Sequence, residues 1–518
     1  MKRRQFLHNT GTALSIPVLL NGMPLSAISR SQFFPSFNDD SDKVLVLVQL
    51  NGGNDGLSMV IPRDQYSELF KARSNVLIPE NAIVPITDKV GFHPVMTGLR
   101  SLYDKGQLGI VQSVGYPNQN RSHFRSSDIW FSGSPADEFW TTGWLGRYLD
   151  TQYTDYPEGY PNPEYPHPFA ITIGNVVSET CQGAAANYCL TITDPFALSP
   201  LYEGSPTDVP DTPYGEELAF LRTTILQTNA YGEEVTAAAE KAKNLAEYPE
   251  DNGLAQQLKT VALLIAGGLR TNIYVVNIGG FDTHANQVVE GDKTTGEHSQ
   301  LLRAVSEAVS AFQEDLTLLG IEERVAGMTF SEFGRQIASN DSFGTDHGTA
   351  APLFVFGSCV NPAVTGDNPD IPDQVERGEG VPMQYDFRDV YGSILMDWFE
   401  VSQNDIKTLF YPGFTYLPVL NACKPVATRP EVWKEDLLLN NYPNPFTSET
   451  TIRFTHPGGH VRLSIFNTLG SELQVLVNKQ LTAGEHSVPF YGGHLPAGNY
   501  YYRLQVGNTA KTMRMSKI

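Results

Sequence analysis

Asp282 and His284 stand two positions apart in Gly279-Gly280-Phe281-Asp282-Thr283-His284, directly after the apolar run Ile273 to Ile278. Carboxylate oxygen and imidazole nitrogen on a loop after a strand are ligand types that a divalent metal takes from protein. Three further loops share this grammar. Val44 to Leu50 leads into Asn51-Gly52-Gly53-Asn54-Asp55-Gly56. Val325 to Phe330 leads into Ser331-Glu332-Phe333-Gly334-Arg335. Gly344-Thr345-Asp346-His347-Gly348 comes just before the strand-like Pro352 to Phe356. Loops at the carboxyl ends of parallel strands open onto one crevice, so ligands from distant positions can meet there. The expected metal ligands are Asp55, Asp282, His284, Glu332, Asp346 and His347, and the expected chemistry is hydrolysis. Plainer roles compete: Asp55 satisfying turn amides, Asp282 capping a helix, Glu332 pairing with Arg335.

The elements that would position these loops alternate along residues 43–422. A helical stretch around His93 to Lys105 precedes Leu108 to Val114, Leu254 to Leu269 precedes Ile273 to Ile278, and Gln300 to Leu319 precedes Val325 to Phe330. Helix–strand alternation argues for an α/β fold, a parallel sheet with helices on both faces. Thr151 to Gly215 is rich in Pro, Tyr and Asp and reads as a long irregular insertion. From about Leu437 the texture changes to short alternating strands between turns such as Pro457-Gly458-Gly459, the pattern of a small β-sandwich over residues 437–518. Residues 423–436, with Pro425 and Pro430, read as the linker.

The 518-residue length calls for more than one domain. A formal net charge of -21 disfavours nucleic acid, since no basic patch is at hand to neutralise phosphates. The start, Met1-Lys2-Arg3-Arg4-Gln5-Phe6-Leu7 followed by the apolar Ala13 to Leu20, reads as a signal peptide over residues 1–30. Arg3-Arg4-x-Phe6-Leu7 resembles a twin-arginine signal, with the Sec route as the alternative. No other stretch is long and apolar enough for a transmembrane helix. Cys181 and Cys189 could close a small loop, Cys359 and Cys423 could pair, and free thiols are equally open.

The motifs Leu50-Asn51-Gly52-Gly53-Asn54-Asp55-Gly56-Leu57, Arg121-Ser122-His123-Phe124, Gly143-Trp144-Leu145-Gly146-Arg147, Phe281-Asp282-Thr283-His284, Ser331-Glu332-Phe333-Gly334-Arg335 and Thr345-Asp346-His347-Gly348 together resemble the family called domain of unknown function 1501. That family is similar to the alkaline phosphatase and sulfatase superfamily. The resemblance implies an alkaline phosphatase-like sheet, one or two divalent ions (zinc, or manganese- or magnesium-like), and a nucleophile at a helix start, for which Ser122 is the candidate. Arg121 or Arg335 would hold the non-bridging oxygens of a phosphate or sulfate ester. The superfamily's usual Asp-His pair is replaced by Glu332, which puts the second metal in doubt. Ser126 and Ser127 compete with Ser122. His93 and His123 read as structural, and His298 starts a long helix that could approach the site. No Gly-x-Ser-x-Gly elbow is present. No Cys/Ser-x-Pro-x-Arg motif stands out near Ser122, which favours a phosphate ester over a sulfate ester.

Asn441-Tyr442-Pro443-Asn444-Pro445-Phe446, with Leu463 to Gly470 and Leu495 to Tyr502, resembles the type A C-terminal sorting domain of the type IX secretion system. That implies a Bacteroidetes-type bacterium and the secretion machinery as a partner. It also implies passage through the periplasm to the cell surface or medium. The substrate would be a small-molecule or glycan ester. The competing class is a non-catalytic surface protein that binds glycan or another cell-envelope component on a degenerate phosphatase-like fold.

Overall fold

The structure is a computed structural model that describes residues 42–153, 155–198, 209–210, 212–421, 440–456, 459–467, 472–482, 484–506 and 509–518. The expected signal peptide and linker lie outside the described residues. The chain divides into two compact units, parting between Lys424 and Pro425.

Nine strands form the sheet of the first unit: β1 (Val44–Leu50), β2 (Leu108–Gly115), β3 (Ala170–Ile173), β4 (Cys189–Ile192), β5 (Ile273–Ile278), β6 (Val325–Phe330), β7 (Ala351–Phe356), β8 (Val364–Thr365) and β9 (Tyr385–Asp386). Their order is β8-β2-β7-β6-β1-β5-β3-β4, with β9 also on β2. Strand β1 is central and parallel to both β5 and β6. The sheet is mixed, because β7 runs antiparallel to β6 and to β2 while the other pairs are parallel. This corrects the all-parallel expectation. A strand that runs backwards begins at the edge where its neighbours end. The loop before β7 therefore opens beside the loops after β1, β5 and β6.

The sequence of β1, Val-Leu-Val-Leu-Val-Gln-Leu, is apolar at nearly every position because both faces are covered. Val44, Val46, Val48 and Leu50 face one core layer, with Leu258 and Val261 of helix Gly253–Ala266 and Val305 and Phe312 of helix Glu297–Leu318. Leu45 and Leu47 face the other, with Ile129 of helix His123–Ser132, Trp144, and Tyr391 and Ile394 of helix Phe387–Phe399. Trp398 at the end of that last helix donates Nε1–H to Val44 O at 3.0 Å, tying helix to strand.

The expected irregular insertion holds regular structure. β3 and β4 lie within it and extend the sheet past β5. Thr212 and Pro213 then open the helix Pro213–Lys241, with the Thr212 hydroxyl accepting from Gly215 N. Cys181 and Cys189 are free thiols, and Cys359 is disulfide-bonded.

The second unit pairs a three-stranded sheet (Asn440–Tyr442, Glu449–His456, Gly484–Tyr491) with a four-stranded one (Glu472–Leu481, Gly459–Phe466, Gly498–Val506, Thr509–Lys517). Ile452, Phe454 and Phe490 from the first sheet and Val461, Leu463, Ile465, Tyr502 and Leu504 from the second share one core, which makes the unit a β-sandwich. No helix among the described residues is long and apolar enough to cross a membrane.

Candidate metal centre

The loops after β1, β5 and β6 and the loop before β7 close on one another almost without side chains between them. Gly52 sits at φ +124°, and a Cβ there would lie 2.4 Å from Asp282 N. A Cβ on Gly348 would lie 2.1 Å from Arg335 C. The glycine-rich turns are thus demanded by packing as well as by backbone angle. Arg335 binds the loops together from inside. Its buried guanidinium donates to Gly53 O (2.6 Å), Thr345 O (2.8 Å), Gly52 O, Phe281 O (2.9 Å) and Asp282 Oδ1 (2.7 Å). The expectation that Arg335 grips substrate is therefore corrected: its donors are committed to the protein.

Four polar side chains converge at the crevice. Asp282 Oδ1 is 3.2 Å from His284 Nε2 and 3.1 Å from His347 Nε2, and the two imidazole nitrogens are 2.9 Å apart. The fourth is His123, at the start of helix His123–Ser132 after β2. Its Nε2 lies 3.5 Å from Asp282 Oδ2 and is a buried atom with no hydrogen bond. His123, Asp282 and His347 each offer a ligand atom within 4.8 Å of the others. A tetrahedral metal with bonds of about 2.0 Å sets its ligand atoms roughly 3.3 Å apart, close to the spacing of the Asp282–His284–His347 triangle.

The other face of each imidazole explains why a cation fits. His284 Nδ1 meets Asp346 Oδ1 at 2.8 Å, His123 Nδ1 meets Glu332 Oε1 at 2.8 Å, and His347 Nδ1 meets Arg121 O at 2.9 Å. All three partners accept, so each Nδ1 carries the hydrogen and each Nε2 presents its lone pair to the centre. Burial lowers the pKa of His347, which keeps it neutral. Burial pushes Asp282 up, but the effects led by the hydrogen bond from Arg335, with its charge, overcome this and hold it at about 2, so it is a carboxylate. Arg335 offsets the Asp282 charge from one side, and a cation between the imidazole lone pairs would relieve the repulsion that remains among them. Asp282 is 47% exposed and His284 43%, so the centre opens to solvent and leaves room for a further ligand.

The expected residues thus fall into three groups. Asp282, His284 and His347 meet at the centre. Glu332 and Asp346 lie behind it: Glu332 also accepts from Gly52 N at 2.9 Å, and Asp346 from Asn340 Nδ2 at 3.1 Å, and they orient His123 and His284 respectively. Asp55 is elsewhere, fully buried, with Arg73 Nη1 on Oδ1 at 3.0 Å and Ser58 Oγ and Gln287 Nε2 each 2.6 Å from Oδ2. His123, read from sequence as structural, is the residue that reasoning missed. The available signal was its place at a helix start just after a strand that ends at the crevice.

Ser122 precedes the same helix. Its side chain is exposed and makes no capping hydrogen bond. Ser126 is buried, bonded to Glu332 O and to Tyr116 Oη, and is structural. Arg121 donates Nη1–H to His347 O (3.3 Å) and Gly378 O (2.6 Å), and the rest of its guanidinium has no partner among the described residues. His298 and His93 lie in the interior: His298 Nε2 meets Asn54 Oδ1 at 2.9 Å, and burial pushes its pKa down to about 4 and that of His93 to about 3.

Fold and crevice together define a doubly covered α/β domain with a histidine–carboxylate centre at its strand ends. The chain belongs to the family described as protein of unknown function DUF1501, which matches residues 42–384. A secretion system C-terminal sorting domain matches residues 440–517 and marks the chain for export to the cell surface or beyond. No curated protein matches. Similar solved structures include the lipoteichoic acid synthase of Listeria monocytogenes (9% identity, 74% of this chain and 78% of that one, TM-score 0.32). Another is a phosphonate monoester hydrolase of Silicibacter pomeroyi (10% identity, 92% and 89%, TM-score 0.33). A third is a protein of the alkaline phosphatase superfamily from Vibrio parahaemolyticus (10% identity, 91% and 79%, TM-score 0.30).

Proposed function

We propose that the exported body is a metal-dependent hydrolase of phosphate or sulfate esters, with one divalent ion held by His123, Asp282, His284 and His347. The observation that carries this reading is the meeting of the Asp282 carboxylate with His347 and His123 within ligand spacing and with His284 beside them, every Nδ1 being turned to an acceptor elsewhere. Three imidazoles with one carboxylate suit zinc or manganese better than magnesium, which prefers oxygen ligands. The ion would supply positive charge to the oxygens of a bound ester. The protein supplies the rest. Ser122 Oγ, free and exposed at the helix start, attacks phosphorus. An Oγ–P bond forms as the bond to the leaving alcohol oxygen breaks, the Ser122 hydroxyl proton passes through solvent to that leaving oxygen, and water then hydrolyses the phosphoserine to phosphate and free Ser122. The free N–H groups of that helix start and the uncommitted donors of Arg121 hold the non-bridging oxygens. Phosphate is the preferred ester, since the chain around Ser122 lacks the Cys/Ser-x-Pro-x-Arg motif in which a sulfatase's own nucleophile is modified.

A second reading, a metal-dependent binding protein for envelope glycans, draws on the commitment of Arg335 to the loops, which leaves Arg121 as the arginine facing substrate. Elemental analysis of the purified full chain, beside turnover of p-nitrophenyl phosphate and p-nitrophenyl sulfate by wild type and Ser122→Ala, tests both. Bound metal with turnover that Ser122→Ala abolishes supports the hydrolase. Bound metal without turnover of any ester supports the binding protein. A folded chain that stays metal-free after incubation with zinc or manganese sinks both.

A further inference from the structure

Asp55 was the expected ligand that the centre did not gather, and its surroundings say what it does instead. Both its oxygens are taken: Oδ1 by Arg73 Nη1, Oδ2 by Ser58 Oγ and Gln287 Nε2. Asp55 and Arg73 are both 0% exposed, so the pair is a buried ion pair with no water to share its charge. Burial pushes the Asp55 carboxyl up, and the Arg73 charge, aided by His298 and by hydrogen bonds from Arg73 and Ser58, outweighs that and holds it at about 2. The network then runs to the centre. Because Gln287 donates Nε2–H to Asp55, its Oε1 is turned to accept from Thr345 Oγ1 (2.7 Å) and Thr283 Oγ1 (3.2 Å). Thr283 lies between the ligands Asp282 and His284, and Thr345 lies two residues before His347.

Resting on the metal reading above, we propose that the centre takes a single ion, because the Arg73 guanidinium is the built-in cation for Asp55, and that Arg73, Asp55 and Gln287 act as positioning residues that brace the ligand loops from below. Three points support it. Three donors, among them a full guanidinium charge, already occupy three of the roughly four lone-pair sites of the Asp55 carboxylate. A second ion beside Arg73 would meet its charge in a dry interior, where repulsion is least screened. The amide of Gln287 works in one orientation only: turned over, its NH2 would face two hydroxyls while its oxygen faced the Asp55 carboxylate.

The test is zinc stoichiometry and affinity of the full chain, stripped with chelator and titrated calorimetrically, for wild type, Asp55→Asn/Arg73→Gln and Gln287→Leu. The double variant removes the charge pair without leaving a lone buried charge. One equivalent in wild type, and one in the folded double variant, is the expected result. Gln287→Leu should keep one equivalent but bind about 10-fold or more weakly, as for other groups that orient ligands. Two equivalents in wild type, falling to one in the double variant, would make Asp55 a ligand and overturn the inference while leaving the metal reading intact. No binding in wild type would overturn both. Should the double variant not fold, anomalous scattering from zinc-soaked wild-type crystals decides: a second peak within bonding distance of Asp55 overturns the inference, and a single peak among the three histidines upholds it.

Discussion

Two clusters built from the same kinds of residue sit on the same loops and are balanced in opposite ways. At the crevice, Asp282 and three histidines gather partly open to solvent, each Nδ1 turned to an acceptor outside the cluster and Arg335 pairing with Asp282 from one side only. Beneath it, Asp55 meets a donor at every contact and is sealed from water. A cluster whose oxygens are all met by donors within the protein suits bracing, and a cluster of imidazole nitrogens left open to solvent suits binding. Residue type alone does not separate the two; the balance of donors and acceptors does.

The largest effect should come from breaking the open cluster. Asp282→Ala with His347→Ala is expected to abolish stable metal binding, with affinity falling at least ~1,000-fold since two ligands are lost, while the fold stays intact because both side chains are partly exposed. Circular dichroism beside elemental analysis checks this, and a variant that keeps its metal removes these residues from the centre. Breaking the closed cluster should do the reverse. Arg73→Met leaves the Asp55 charge buried and unpaired, at a cost of about 3–5 kcal/mol in stability. Denaturant unfolding of the metal-free chain reads it, and a loss below about 1 kcal/mol would show that the pair is not the brace described here.

Acid should act on the closed region as well. His298 is neutral in the folded chain, with a pKa lowered by burial to about 4 from 6.5. The unfolded chain takes up that proton first as the pH falls, so stability is full above about 6.5 and declines down to about 4, by roughly 3 kcal/mol for this residue. His93, lowered in the same direction, adds to the loss. Asp55 contributes nothing over that window and loses its own stabilisation only as the pH falls from about 4 toward 2. Thermal unfolding of wild type and His298→Gln between pH 7 and pH 4 should show the shallower slope in the variant. The smallest effect belongs to Glu332→Gln, which keeps the shape but replaces the carboxylate that orients His123. Metal affinity should drop about 10- to 100-fold with the fold unchanged, and an unchanged affinity would remove His123 from the ligand set.

Much of the frame was legible in the chain. The strands β1, β5 and β6 announce themselves as apolar runs because a sheet covered on both faces leaves them no polar side. The helices before β5 and β6 show their apolar stripes, and Asp282 and His284 are readable because a strand's end fixes where the next residues go. β3 and β4 were not legible: each has four residues, set among Pro and Tyr whose local tendency is toward turns. His123 was hidden for another reason. Its orientation depends on Glu332, 209 positions away, and local pattern carries no information about a partner at that distance.

The sequence by itself therefore determined most of the elements, the loops that carry Asp282, His284 and His347, and the export domain at the far end, since these follow from local periodicity and short motifs. The tertiary structure alone decided which acidic residue stands among imidazoles in an open crevice and which is sealed in an ion pair. Asp55 and Asp282 both follow a strand in a glycine-rich turn and both meet an arginine, and only the sealing of Asp55 against Arg73 and the placing of three imidazoles beside the exposed Asp282 set their surroundings apart.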